Sequence, residues 1–437
     1  MRSNLVRVAG VMSLAVALAV LGLWLPSVKA QSGTLTPLLP APAGENVFLR
    51  FLESWNTENF DTGKAYYDAV DPYGKRTNLK DWLVVNGFLA SSTSAFGPGT
   101  LASTGDENIQ TDAMAVYQNA ADLGFGRRMY LRRNADGALA SYVENYGDDA
   151  QQFFDADLAD EDQILDNAST RRKGLLATVA MEYVAPDDEP NGEKRVTFYT
   201  FGGNGQRTEI ANINLDGRGD KANPGVCLVC HGGKPQPVVG GIYPNKGDTG
   251  ARFLPWDVGT LVFGTDPRYG RTAQEPAFKN FNAAVRDHHT QARTLDEVSG
   301  LRRQIAPVEL INGWYGGPTL PNDTFDDSFV PRGWRPSEAL GIPAGSAAIY
   351  RDVIGPTCRS CHAQRDAALD FATYKGFAAH RDTMLDVVYE VPTNTFLNGL
   401  RPGDEGAVMP LALRTYVNFW ETNGPQRLRN FIRNIPH

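Results

Sequence analysis

The residues able to do chemistry are concentrated in two short stretches, GVCLVCHGG with Cys227, Cys230 and His231, and PTCRSCHAQ with Cys358, Cys361 and His362. Both read C-x-x-C-H, the spacing of covalent c-type haem attachment. Two thiols three positions apart each add to one vinyl group of the same haem. The histidine directly after them lies against the iron and supplies its proximal nitrogen. The chain has 4 cysteines, all inside these motifs, so none is left over for a structural disulfide. A zinc ribbon sets its second cysteine pair about 15–20 residues after the first. Here Cys230 and Cys358 are 128 positions apart, and a histidine follows each pair. A thioredoxin-like dithiol needs a strand-to-helix setting and no obligatory histidine. The motifs therefore predict two covalently bound c-type haems (iron). Cys227, Cys230, Cys358 and Cys361 are the attachment residues, and His231 and His362 the iron ligands.

Other chemistries lack their residues. No G-x-S-x-G elbow supports a Ser/His/Asp hydrolase. The glycines of FGGNGQ are followed by no lysine-serine or lysine-threonine pair, so this stretch reads as a β-turn and not a phosphate loop.

The N-terminus agrees with haem attachment outside a cytoplasmic membrane. Arg2 and Arg7 precede an apolar run from Val8 to Leu25, Pro26 breaks it, and Val28-Lys29-Ala30 offers small residues for cleavage before Gln31. Residues 1–30 read as a secretory signal peptide, which predicts a periplasmic or otherwise exported protein with no transmembrane segment in the mature chain. Uncleaved, the 18-residue run is at the lower edge of bilayer-spanning length. Cleavage removes three basic residues and no acid, taking the formal charge from −8 to −11. That balance argues against nucleic acid as a partner and suits a basic redox protein through electrostatic steering.

The elements that must hold the motifs follow in order. Residues 31–45 are a proline-rich linker. The segment VFLRFLESWNTENF has helical apolar spacing, and the region from Phe60 to Leu123 carries only weak turn and short-helix signals. RMYLRRNADGALASYVENYG reads as a hairpin turning at Asn134–Gly137. LLATVAMEYV and KRVTFYTF form a second strand pair, and RTEIANINLDG a further strand. The expectation is an antiparallel sheet of four or five strands, with the first motif on a loop leaving it. A helix begins at Pro276, with Phe278, Phe281, Val285, His288 and Ala292 on one stripe. A second stretch, Leu295 to Trp314, is expected to break or kink at Pro307. The predicted fold class is α+β: a β-rich domain with a helical extension over 46–335, then an α-helical domain over 336–437.

Residues 343–437 resemble a class I cytochrome c domain. The helix SAAIYRDVI leads to Cys358-Arg359-Ser360-Cys361-His362, and Val408-Met409-Pro410 follows 47 positions after His362, ahead of the aromatic helix LALRTYVNFWETNG. The resemblance implies Met409 as the sixth ligand opposite His362, and a final helix packed on the leading one. Eight positions separate Tyr350 from Cys358, longer than the family's usual gap. Met384, in DTMLDVVYEV, reads as a core residue.

The first motif has no Met-Pro at that spacing. His288, 57 positions after His231, is the leading candidate for its distal ligand, with His289 and Met129 behind it and an open iron as the remaining option. With both irons saturated, the chain carries electrons between redox partners. An open first iron would make it resemble dihaem cytochrome c peroxidases and related dihaem oxidases and oxygenases. Catalysis would then belong to the first haem and electron relay to the second.

Overall fold

The computed structural model describes residues 60–91, 109–147, 161–170, 174–208, 220–296, 305–363, 371–389 and 409–435. The expected signal peptide and linker, most of the first expected helix and residues 209–217 of the strand expected after Gly205 lie outside them. So does His437.

The centre is an antiparallel sheet of six strands: β1 (Ala113–Asn119), β2 (Gly126–Arg133), β3 (Leu139–Tyr146), β4 (Leu175–Val184), β5 (Arg195–Gly202) and β6 (Leu261–Val262), in the spatial order β5-β4-β3-β2-β1-β6. The two expected hairpins are present, β2 with β3 around the turn at Gly137 (φ 80°) and β4 with β5. β1 and β6 had no clear sequence signal. β6 is only two residues long and pairs with the end of β1. Gln274 covers the remaining edge of β1: its amide receives a hydrogen bond from Val116 N at 2.6 Å and donates one to Val116 O at 2.8 Å. A side chain thus does there what a strand would do, removing an open edge.

Successive residues of a strand face opposite sides, and here both sides are covered. One side, with Tyr130, Tyr142, Tyr199 and Phe201, packs on α1 (Phe60–Val70) and α2 (Leu79–Val85) through Tyr66 and Trp82. α3 (Glu161–Thr170) packs beside β1 and β2. The other side, with Leu131, Met181 and Phe198, belongs to a core shared with α5 (Arg271–Asp296) and α6 (Ile305–Trp314). The first motif forms α4 (Gly225–His231), set on this same side. Pro307 is the third residue of α6 and does not break it, because the first turn has no intrahelical N–H bond to lose.

The second motif is approached by α7 (Ser346–Ile349), which runs on through a π-helical turn at Tyr350–Ile354 and a helical turn at Gly355–Thr357 to Cys358. The widened turn accommodates the long Tyr350–Cys358 spacing without leaving the helix. α8 (Arg359–His362) carries the rest of the motif. α9 (Tyr374–Ala378), α10 (Arg381–Tyr389), α11 (Leu413–Trp420) and α12 (Gly424–Ile432) complete the α part, around a core of Trp334, Tyr350, Phe377, Met384 and Leu428. The architecture is α+β, and Leu38–His437 packs as one unit. No helix among the described residues is long and apolar enough to cross a membrane.

Candidate functional site

The first motif is shaped by its own short helix. Cys227 and Cys230, three apart on α4, share one side of it, as residues i and i+3 do. Asn223 anchors the start: its amide donates to Tyr67 Oη at 2.9 Å, and its carbonyl oxygen accepts from Cys227 Sγ at 3.3 Å. At the other end Gly233 has φ 77°, and a β-carbon there would collide with the Thr249 carbonyl. The Gly-Gly after His231 therefore lets the chain turn sharply and return as a strap over 251–257.

That strap fixes the histidine. His231 Nδ1 lies 3.0 Å from Arg252 O. A carbonyl only accepts, so Nδ1 carries the proton and Nε2 is the nitrogen left for a metal. Burial lowers the His231 pKa to about 4, opposed by the Arg252 hydrogen bond, so the ring is neutral near neutral pH. Phe198 packs against it with ring centroids 5.4 Å apart. Burial likewise pushes the Cys227 thiol well up, and raises Cys358 to about 11.

The strap is itself held from α5. His289 Nε2 donates to Phe253 O at 2.8 Å, and Asn282 exchanges two hydrogen bonds of 2.9 Å with the backbone of Trp256. Its last residue reaches the second motif. Asp257 accepts from Arg359 Nε at 2.6 Å and from Nη2 at 2.7 Å, and both side chains are buried. Burial alone would lower the Arg359 pKa, but the Asp257 carboxylate more than offsets it and keeps the guanidinium charged. Arg359 also lies 5.2 Å from the Trp314 ring centroid and 5.7 Å from that of Tyr350. Thr260 and Ser360 hydroxyls are 3.5 Å apart.

These contacts bring the two motifs together. Cys230 Sγ and Cys361 Sγ are 3.7 Å apart, although 131 positions separate them in sequence. Both line a mainly apolar cavity of about 240 Å³, with Cys227 and His231. Its floor is the sheet: Met129 of β2, Val143 of β3 and Met181 of β4 all line it, and Lys221 and Arg127 add basic groups. Arg127 is ion-paired to Asp122.

The expected distal ligands fall differently. His288 is buried but is not among the cavity-lining residues. Its ring sits between Tyr183 at 4.6 Å and Phe253 at 5.2 Å, and neither nitrogen has a hydrogen-bond partner. His289 is spent on the strap. Met129, ranked behind His288 from sequence, does line the cavity. Met409 is half-buried in a separate cluster with Leu413, Tyr416 and Trp420. His362 is buried and stacked on Phe371, with centroids 4.1 Å apart and planes 7° from parallel. Residues 364–370 and 390–408, which lie between His362 and Met409 in sequence, are outside the described residues.

The residues at the first motif fit a covalently bound haem. Two thiols project from one side of a single helical turn, the adjacent neutral histidine offers Nε2, and the cavity lining is mainly apolar. They fit zinc poorly. A structural zinc takes four ligands, whereas two thiols meet here and, among the described residues, no group of three His, Cys, Asp or Glu side chains converges. Sequence reasoning missed Arg252, Asp257 and Arg359. Only Arg359 had any signal, a charge placed between the two cysteines of the second motif.

No protein-family model matches the chain, and no curated protein or solved structure matches it either.

Proposed function

We propose that the chain is an exported dihaem c-type cytochrome, with a class I cytochrome c-like C-terminal part, that carries electrons between redox partners. Cys227 and Cys230 hold one haem and Cys358 and Cys361 the other. His231 and His362 are the proximal ligands, and Met409 is the distal ligand at the second. Bound haem supplies a one-electron iron couple whose potential depends on the axial ligands. The observation that carries the reading is the hydrogen bond from His231 Nδ1 to Arg252 O, which fixes the tautomer and orientation a metal-binding histidine needs. The 3.7 Å contact between one attachment sulfur of each motif supports direct passage of electrons from one centre to the other. Acidic charge suits a basic protein as partner.

A second reading has its own observation. His231 is the one histidine among the cavity-lining residues, and His288 points elsewhere in the core. A first iron without a second nitrogen ligand would favour peroxidase- or oxygenase-like chemistry there, with the second centre as relay. The visible spectrum of the fully reduced protein, with and without carbon monoxide, separates the two. No response at either centre supports an electron carrier; a shift in half of the haem supports catalysis. Absence of any haem spectrum after expression with a c-haem attachment apparatus would refute both.

A further inference from the structure

The meeting of the two motifs has a consequence for the chain before any haem is attached. We propose that Cys230 and Cys361 are a disulfide-forming pair in the haem-free protein. The usual partners for cysteines spaced C-x-x-C are each other, Cys227 with Cys230 and Cys358 with Cys361. Here the second cysteine of one motif faces the second cysteine of the other at 3.7 Å. Reaching the roughly 2.05 Å of a disulfide bond takes a movement of about 1.7 Å, within the reach of side-chain rotation.

The backbone on either side is already held. Arg359, paired with Asp257, lies two residues before Cys361 on one side, and the strap that ends in Asp257 takes the His231 hydrogen bond on the other. Thr260 and Ser360 meet alongside. Both thiols are half-buried and face the cavity, which gives a small oxidant access.

The reaction needs a disulfide-class oxidant. The thiolate of one cysteine attacks a sulfur of oxidised glutathione and displaces one glutathione thiolate, leaving a mixed disulfide. The second cysteine, deprotonated, attacks the protein-bound sulfur of that intermediate and displaces the other glutathione. Two protein thiols become one disulfide, and one oxidised glutathione becomes two reduced ones. Each motif then lacks one of its two nucleophiles, so this single bond blocks full attachment at both. A thiol reductant becomes a requirement for loading either motif.

The proposal rests on the cysteine geometry and not on the haem reading, and the test keeps them apart. The full chain is exported in a host lacking a haem-attachment apparatus, alkylated, and mapped by mass spectrometry without reduction. The expected product is one cross-linked peptide pair joining Cys230 to Cys361, with Cys227 and Cys358 alkylated. Disulfides within each motif, or four alkylated thiols, would overturn it. A second measurement uses Cys227→Ser with Cys358→Ser, where neither motif can close on itself. With oxidised glutathione the intramolecular bond should form at least tenfold faster in native buffer than in urea. Equal rates, or only intermolecular bonds, would likewise overturn it. Whether the wild-type chain acquires haem in a competent host is a separate result that leaves this one unaffected.

Discussion

The two C-x-x-C-H motifs share their cysteines and histidine and little else. The first is a seven-residue helix anchored at its start by Asn223 and followed by a glycine turn, with its histidine tied to a strap and its cysteines over a sheet. The second continues a helix through a π-helical turn, and its histidine is stacked on Phe371. The first histidine is held by a hydrogen bond to the strap, and the second is stacked face to face on an aromatic ring. The contrast teaches that one sequence pattern can be positioned by unrelated means, and that a buried ion pair is among the contacts joining the two sites. Asp257 belongs to the strap of the first and Arg359 to the interior of the second.

Breaking that ion pair should have the largest effect. Arg359→Ala leaves the Asp257 carboxylate buried without its partner, a class of change that costs about 3–5 kcal/mol. Denaturant unfolding is expected to show a loss of that order. Asp257→Asn combined with Arg359→Met should recover part of it, and a double variant as unstable as the single one would mean the pair is not among the joining contacts.

Next in size is separation of the motifs by attachment. Cys227→Ala should weaken covalent haem attachment at the first motif and leave the second loaded, as read by tryptic haem-peptide mapping. Loss from both would show that the motifs mature as one unit and that the contrast between them is only structural.

Met409→Ala sharpens the comparison at the second motif alone. Removing a thioether ligand should lower that centre's reduction potential and leave both haems attached. Potentiometry that finds the second centre unchanged would remove Met409 from its role.

The smallest effect belongs to His288. Its two unpartnered buried nitrogens cost about 1–3 kcal/mol each, and His288→Phe should return about 1 kcal/mol of that. Burial lowers the pKa of His288 far below its ordinary 6.5, and that of His289 to about 4. Below pH 6.5 the unfolded chain binds more protons than the folded one at these positions. Their contribution to stability is therefore complete above about pH 6.5 and is lost as pH falls toward 4. Thermal unfolding of His288→Phe across that window should depend on pH less steeply than the parent. A changed haem spectrum in this variant would instead return His288 to the list of ligands.

Much of this molecule was legible in its sequence. The strand pairs announced themselves because alternating residues face two packed sides and the Asn134–Gly137 turn demands a glycine at positive φ. The motifs stood out because both repeat the same C-x-x-C-H spacing. β1 escaped because its flanks carry turn residues, and β6 because two residues make no pattern. The setting of His288 was not legible because a histidine on an apolar stripe looks the same whether the stripe faces a cavity or a core. The strap carries no residue pattern that sets it apart from ordinary loops. Its role comes from main-chain carbonyls of Arg252 and Phe253, which no residue type encodes.

The central claim is that both motifs carry covalent haem, and intact mass under denaturing conditions tests it most directly. The full chain, expressed with a c-haem attachment apparatus, should emerge heavier than its processed polypeptide by two haems. An unmodified mass, with the protein folded and its four cysteines free to alkylate, would contradict the account.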